Sequence, residues 1–97
     1  MAFNVIVTYQ SKAGSEEALA SHLRAMLAPT LAEPGCESYK VTRSRDDASL
    51  FVLIESYMTE ADFELHKSSP HFDEHIRNGA WELLESRTAV FGDDIGG

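Results

Sequence analysis

The sequence contains a single cysteine and few basic residues. Because Cys36 stands alone, no disulfide can form within one chain. Lysine and arginine number 8 against 16 aspartate and glutamate, which gives a formal net charge of −8. The densest basic pair, Arg43 and Arg45, is followed directly by Asp46 and Asp47. Since nucleic acids and anionic membrane surfaces are bound by clustered cations, this charge pattern argues against both as partners.

Long apolar runs are also missing. No stretch approaches the roughly 20 apolar residues that a membrane-spanning helix needs. The chain enters an alternating apolar segment at once, without the cationic start of a secretory signal peptide. We therefore expect a cytoplasmic protein. Its 97 residues, 43% hydrophobic and 25% charged, are typical of one globular domain over 1–97, with residues 93–97 as a mobile tail.

Four segments have the alternation or the β-branched and aromatic content of strands. They cover residues 3–10, 37–44, 50–57 and 86–92. The third of them is apolar on both faces at its start. We therefore expect both faces of that strand to be covered.

Residues 16–31 carry apolar side chains at helical spacing and predict the first helical region. Pro29 lies inside it, and because proline removes a backbone hydrogen bond, we expect a break near residues 25–28. Pro34 and Gly35 follow the helix. This pair suits the two central positions of a type II turn.

A second helical region lies between the third and fourth strands. Thr59 is predicted to cap a short helix, with Asp62 where an acid completes a capping box. Ser69 and Pro70 suit the N-cap and first helical position of another helix. An apolar stripe that ends at Leu83 predicts that this helix runs without interruption from Pro70 to about Leu83.

The resulting order, β-α-β-β-α-β, is that of the ferredoxin-like fold. In this α+β arrangement the helices cover one face of the sheet. The other face also needs cover, because the strand at 50–57 is apolar on both sides. A second copy of the same sheet would supply that cover, so we expect a homodimer.

Two histidines are the main candidates for chemistry. His66 ends one predicted helix, and His71 lies in the first turn of the next. The carbonyl end of a helix favours a protonated imidazole, and the amide end favours a neutral one. The pair could therefore act as acid and base. Alternatively, both are ordinary helix-end residues without a catalytic role.

His71 and His75 match the spacing of an inverted zinc motif. A catalytic zinc site needs a third protein ligand. The 22 residues after His75 contain no histidine or cysteine. We therefore expect no functional metal.

Glu55 is a carboxylate in an otherwise apolar strand, on the face that carries Phe51, Leu53 and Tyr57. If it is buried, it needs a partner. That partner could be a histidine or Arg43 on the neighbouring strand. Alternatively, the strand emerges into solvent at this point.

Several short motifs occur together in this chain. They are Glu33-Pro34-Gly35-Cys36, Tyr39, the strand Phe51–Glu55, and the run from His66 through Pro70-His71-Phe72. Their combination resembles the antibiotic biosynthesis monooxygenase family, over Phe3 to Phe91. The resemblance implies a ferredoxin-like homodimer, a dimeric α+β barrel, with a pocket between sheet and helices in each subunit.

Several members of that family oxidise quinols or polyketide phenols with molecular oxygen, without metal or flavin. The resemblance therefore implies a monooxygenase without cofactors that acts on a small aromatic quinol or phenol, with His66 or His71 as base. The other expected pocket residues are Tyr39, Arg43, Glu55, Tyr57 and Phe72. His66 stands where the haem-degrading branch has tryptophan, so we expect no haem. The Asn, Trp, Tyr and Arg set of the polyketide branch is not matched.

Two other functions stay open. The run from His66 to His71 also resembles a branch that isomerises a phosphorylated quorum-sensing signal during its breakdown. In that case Lys67 or Arg43 would meet the phosphate. The second alternative is a dimeric protein that binds a small ligand without turnover.

Overall fold

A four-stranded antiparallel sheet forms one layer of the molecule, and helices form the other. The computed structural model describes residues 2–97. The strands are β1 (Phe3–Ser11), β2 (Cys36–Arg43), β3 (Leu50–Tyr57) and β4 (Leu84–Asp93). They lie across the sheet in the order β2-β3-β1-β4. This is the ferredoxin-like arrangement predicted from the sequence.

The first helical region consists of two helices, α1 (Glu16–Ala25) and α2 (Leu27–Leu31). The break that Pro29 predicted is confirmed at Met26, which lies between them. Within residues 2–97, no helix has both the length and the apolar character to cross a membrane.

The second helical region begins with α3 (Glu60–Lys67). Thr59 caps it as predicted, since its Oγ1 accepts a hydrogen bond from the Asp62 amide. Ser69 then caps α4 (Pro70–Phe72) in the same way. His66 in the last turn of α3 and His71 in α4 thus occupy the helix ends that the sequence predicted.

The prediction of one continuous helix after Ser69 is wrong. α4 passes into a π-helical turn over Asp73–Arg77, and a 3₁₀ turn follows over Ala80–Leu83. The hydrogen bonds of Asn78 account for the wider turn. The Asn78 amide and its side-chain Nδ2 both donate to the Asp73 carbonyl, each at 3.0 Å, which closes the wider turn.

The turn at Gly35 brings the start of β2 against α3. The Cys36 amide donates to the Glu33 carbonyl at 3.1 Å. Gly35 does not have a positive φ, so the type II prediction is wrong. Glycine is required here for space, because a Cβ at this position would lie 2.2 Å from Asp62 Cγ. This close approach places Glu33 beside the face of α3 that carries His66.

The core lies between the helices and one face of the sheet. The buried apolar residues of the sheet are Val5, Val7 and Tyr9 of β1, Phe51, Leu53 and Tyr57 of β3, and Tyr39 of β2. They pack against buried residues of the helical layer: Leu19, Leu23, Met26 and Ile76. Side chains of β4 are exposed almost throughout, because the helices do not extend over this edge strand.

The opposite face of the sheet carries apolar side chains without cover in one chain. Ile6 is in register with Ile54 of β3 and Val90 of β4. Ile54 is 45% exposed and Val90 is 60% exposed. The homodimer expected from the sequence would use this face, which we call the open face, and it stays a prediction.

Candidate functional site

Three polar side chains meet where the Glu33 turn, α3 and α4 converge. Glu33 Oε2 lies 2.8 Å from His66 Nδ1 and 2.5 Å from His71 Nε2. The side chain of His66 is 1% exposed, whereas those of Glu33 and His71 are 17% and 18% exposed. One carboxylate therefore connects a buried imidazole to one that reaches the surface.

The position of Glu33 determines which nitrogen of His66 carries the proton. An ionised carboxylate only accepts hydrogen bonds, so His66 Nδ1 is the donor to Glu33. In the neutral imidazole, Nε2 is then an acceptor. This nitrogen lies 4.0 Å from Glu55 Oε1. Burial lowers the pKa of His66 and so favours its neutral form, whereas the hydrogen bond to Glu33 acts in the opposite direction.

Glu55 is a buried carboxyl group with one close partner. Its Oε1 accepts a hydrogen bond from the Tyr57 hydroxyl at 2.6 Å. Burial raises the pKa of Glu55 to about 7; the Tyr57 hydrogen bond lowers it and the Glu33 charge raises it. Burial also raises the pKa of Tyr57 well above its usual range, so this phenol stays a donor. Glu55 can therefore gain and lose a proton near neutral pH.

A cavity of about 300 Å³ opens between the helical layer and strands β1 and β4. It exists because the helices stop short of β4. The apolar part of its wall comprises Val5, Val7, Phe63, Phe72, Ala89 and Phe91. Such a volume is at the lower end of small-molecule sites, which is suitable for a ligand with one or two rings.

Polar groups at this cavity are few and differ in charge. Glu55, Tyr9, Lys67 and Arg87 belong to its wall. Trp81 Nε1 donates to the Tyr9 hydroxyl at 3.1 Å, and the Arg87 guanidinium stacks 3.4 Å from the Trp81 ring centroid. Burial raises the pKa of Tyr9 to about 12, with the Trp81 hydrogen bond opposing it, so its phenol is neutral.

The residues predicted to line the pocket lie at three different places. Glu55 and Phe72 belong to the cavity wall. Tyr57 lies behind Glu55, and the Tyr39 ring packs against the His66 ring at a centroid distance of 5.8 Å. Arg43 lies outside this group.

Arg43 contacts α1 rather than Glu55. Its Nη2 lies 3.0 Å from Glu17 Oε2, and its guanidinium stacks over Phe51 at 4.5 Å. The partners of Glu55 are instead Tyr57 and, at a longer distance, His66. The alternative in which Glu55 emerges into solvent is wrong, because the residue is buried.

Sequence reasoning missed Glu33, although it noted the motif to which this residue belongs. The only signal was a glutamate directly before Pro34-Gly35. Its role could not be predicted, because its partners His66 and His71 come from helices much later in the chain. Among the described residues, His71 and His75 do not belong to one group of possible metal ligands. His75 Nδ1 lies 3.2 Å from His22 Nδ1, whereas Glu33, His66 and His71 place their ligand atoms within 4.8 Å of one another.

Known proteins share both the sequence pattern and the fold. Residues 2–78 match the family model described as antibiotic biosynthesis monooxygenase. Rv0793 of Mycobacterium tuberculosis, named provisionally as a monooxygenase, is 37% identical over 86 residues, which cover 89% of this chain and 83% of that protein. Its solved structure superposes with a TM-score of 0.92 and 30% identity, over 100% of this chain and 98% of that chain. PA3566 of Pseudomonas aeruginosa gives 0.92 and 32%, over 98% and 95%.

Proposed function

This chain belongs to the antibiotic biosynthesis monooxygenase family, and from that premise we propose that it oxidises a small aromatic quinol or phenol with molecular oxygen and no bound cofactor. Membership supports a monooxygenase-like role in general. The observation that carries the narrower proposal is Glu55. It is a buried carboxyl with a pKa of about 7 at the wall of an apolar cavity.

The proposed reaction draws its electrons from the substrate. One oxygen atom of dioxygen enters the aromatic ring, and the other leaves as water. A phenolate gives up electrons more readily than a phenol, so the protein must remove a proton and hold the resulting anion in a dry site. A base with a pKa close to the working pH performs the first task most efficiently.

Glu55 is the base that faces the cavity, and His66 stands behind it. The proton would pass from the ring hydroxyl to Glu55, then to His66 Nε2, and through Glu33 and His71 to the surface. The 4.0 Å gap between Glu55 and His66 is too long for a hydrogen bond. A small side-chain rotation or one bridging water closes it. In this scheme His71 is the outlet, not the group that meets the substrate.

Arg87 and Lys67 are suited to hold the substrate anion. Both belong to the cavity wall, in a chain whose net charge is −8. Positive groups placed in advance beside a developing negative charge stabilise it more strongly in an apolar cavity than in water. Phe63 and Phe72 would contact the ring.

We also propose that the protein is a homodimer joined through the open face. Ile6, Ile54 and Val90 are adjacent there, and two of them are about half exposed or more in one chain. A facing copy of the same sheet would remove these side chains from water. The cavity lies on the helical side, so it stays accessible in such a dimer.

Oxygen uptake with a panel of benzene and naphthalene quinols tests the proposed reaction. The buffer should contain a chelator so that free trace metals do not oxidise the quinol. Replacing Glu55 by Gln or His66 by Ala should slow turnover by about 10²–10⁴-fold. His75→Ala is the matched control, because His75 belongs to neither the cavity wall nor the Glu33 group. Near-normal rates in both site variants would overturn the proposed proton path.

The isomerase alternative is favoured by one observation, the position of Lys67 at the cavity wall. Of the two cations considered for a phosphate, Arg43 lies outside this cavity. If no quinol consumes oxygen, a phosphorylated hydroxyketone should be tested, with product analysis by NMR. Isomerisation without oxygen uptake, lost in Lys67→Ala, would replace the oxygenase proposal.

A further inference from the structure

The group of Glu33, His66 and His71 has the ligand set of a transition-metal site. It offers two imidazole nitrogens and one carboxylate oxygen, all within 4.8 Å of one another. Two histidines and one carboxylate are a common donor set for divalent zinc and iron. Ligand atoms around tetrahedral zinc are separated by about 3.3 Å, given bonds of about 2.0–2.1 Å. The two hydrogen-bond distances of 2.8 and 2.5 Å would need to lengthen by less than about 1 Å, and the two histidine nitrogens, which lie within 4.8 Å of each other, would need to approach by at most about 1.5 Å.

A second observation concerns the other ring nitrogen of His66. Metal-bound histidines usually donate their free N–H to a carboxylate, which fixes the ring. His66 Nε2 faces Glu55 Oε1 at 4.0 Å, and Glu55 is held by the Tyr57 hydroxyl. An ion on Nδ1 would move the proton of His66 to Nε2, where Glu55 can accept it. The structure thus supplies the outer partner of a metal ligand as well as the ligands.

We infer that Glu33, His66 and His71 bind one divalent transition-metal ion of the zinc class. The expectation of no metal considered only ligands that follow His75. The structure brings the carboxylate from the turn before β2 and uses His66 in place of His75. Glu33 and His71 are partly exposed, so an ion can enter from that side and keep water at its open positions.

Binding of such an ion is incompatible with the proposed proton path. The ion would occupy His66 Nδ1 and the Glu33 oxygen that now joins the two histidines. His66 Nε2 would then carry a proton and could not accept one from Glu55. Zinc should therefore inhibit the proposed oxidation of the quinol or phenol, and a chelator should reverse the inhibition. The metal site itself does not depend on the oxygenase proposal.

Binding is measured by titrating Zn²⁺ into the metal-free full-length protein in competition with a chromophoric chelator. We expect one equivalent per chain. Stoichiometric binding should be lost in Glu33→Gln and in His71→Ala, with the fold checked by circular dichroism. Glu55→Gln should weaken binding by about 10- to 100-fold, as expected for an outer partner. Co²⁺ should give the intense visible bands of a low-coordinate site in the wild type.

His75→Ala provides the matched control, since His75 pairs with His22 and could itself attract zinc. Retained binding in His75→Ala supports the assigned site. The inference is wrong if His75→Ala abolishes binding while His71→Ala and Glu33→Gln keep it. It is also wrong if the wild type binds no zinc at micromolar concentration. Neither result affects the oxygen-uptake test, which is run with chelator present.

Discussion

Replacing Glu55 by glutamine should make the protein more stable, and the gain should depend on pH. Glutamine has nearly the same shape and can still accept the Tyr57 hydrogen bond through its amide oxygen. It removes only the ionisation of the carboxyl group. Because Glu55 is buried, its charged form is costly in the folded protein.

The magnitude follows from the pKa of Glu55. Burial raises it from 4.5 to about 7 in the folded protein. Below about pH 4.5 the carboxyl is neutral in both states and costs nothing. Between the two pKa values the folded state binds a proton that the unfolded state lacks, so stability falls as pH rises. Over about 2.5 pH units at 1.36 kcal/mol each, the loss reaches about 3 kcal/mol above pH 7.

Urea unfolding of wild type and Glu55→Gln, at equal protein concentration, measures this difference. The variant should match the wild type near about pH 4.5 and exceed it by about 3 kcal/mol near about pH 8.5. Comparing the two proteins at each pH removes ionisations that both share, including that of His66. Glu85→Gln, at an exposed position of β4, is the control and should show no such pH dependence. A difference that is constant with pH, or that grows toward acid, would refute the reasoning.

Three further predictions concern packing and assembly. Thr30→Val should raise the free energy of unfolding by about 1 kcal/mol, measured in urea, because the buried Thr30 hydroxyl has no partner among residues 2–97; an unchanged or lower value contradicts this. Gly35→Ala should lower that free energy by about 1–3 kcal/mol, since its Cβ would collide with Asp62; wild-type stability would show that the turn moves freely. Light scattering should give about twice the 10.7 kDa chain mass, and Ile54→Asp should reduce it to the monomer mass; a well-folded wild-type monomer excludes the proposed dimer.

Local signals in the sequence predicted the strands and helix starts well. The strand at 50–57 has the bounds that its β-branched and aromatic residues indicated. The caps at Thr59 and Ser69 are confirmed, because each depends only on residues three positions apart. β4 begins earlier than predicted, at Leu84, since it extends its pairing with β1 as far as Ser11.

Features that depend on distant contacts were not predictable. The apolar stripe through Phe72 and Ile76 was read correctly, since both are buried. The spacing of these apolar residues could not show that the chain after Phe72 forms a π-helical turn rather than an α-helix. Glu33 gained its role only because the Gly35 turn packs against Asp62. Neither the spacing of apolar residues nor a short motif indicates which distant segments of the chain will pack together.

The pairing of β1 with β4 has a consequence for how the protein folds. Asn4 Nδ2 donates to Asp94 at 2.8 Å across 90 positions of the chain, and Ala2 donates to the same side chain. Contacts between such distant positions close large loops, which makes them slow to form, so we expect this pairing to form late in folding. Since β4 supplies one wall of the cavity, the binding site should appear only in the last cooperative step. A circular permutant that joins the adjacent ends and opens the polar loop at Asp46 would turn this late pairing into a hairpin, and its cavity should form early.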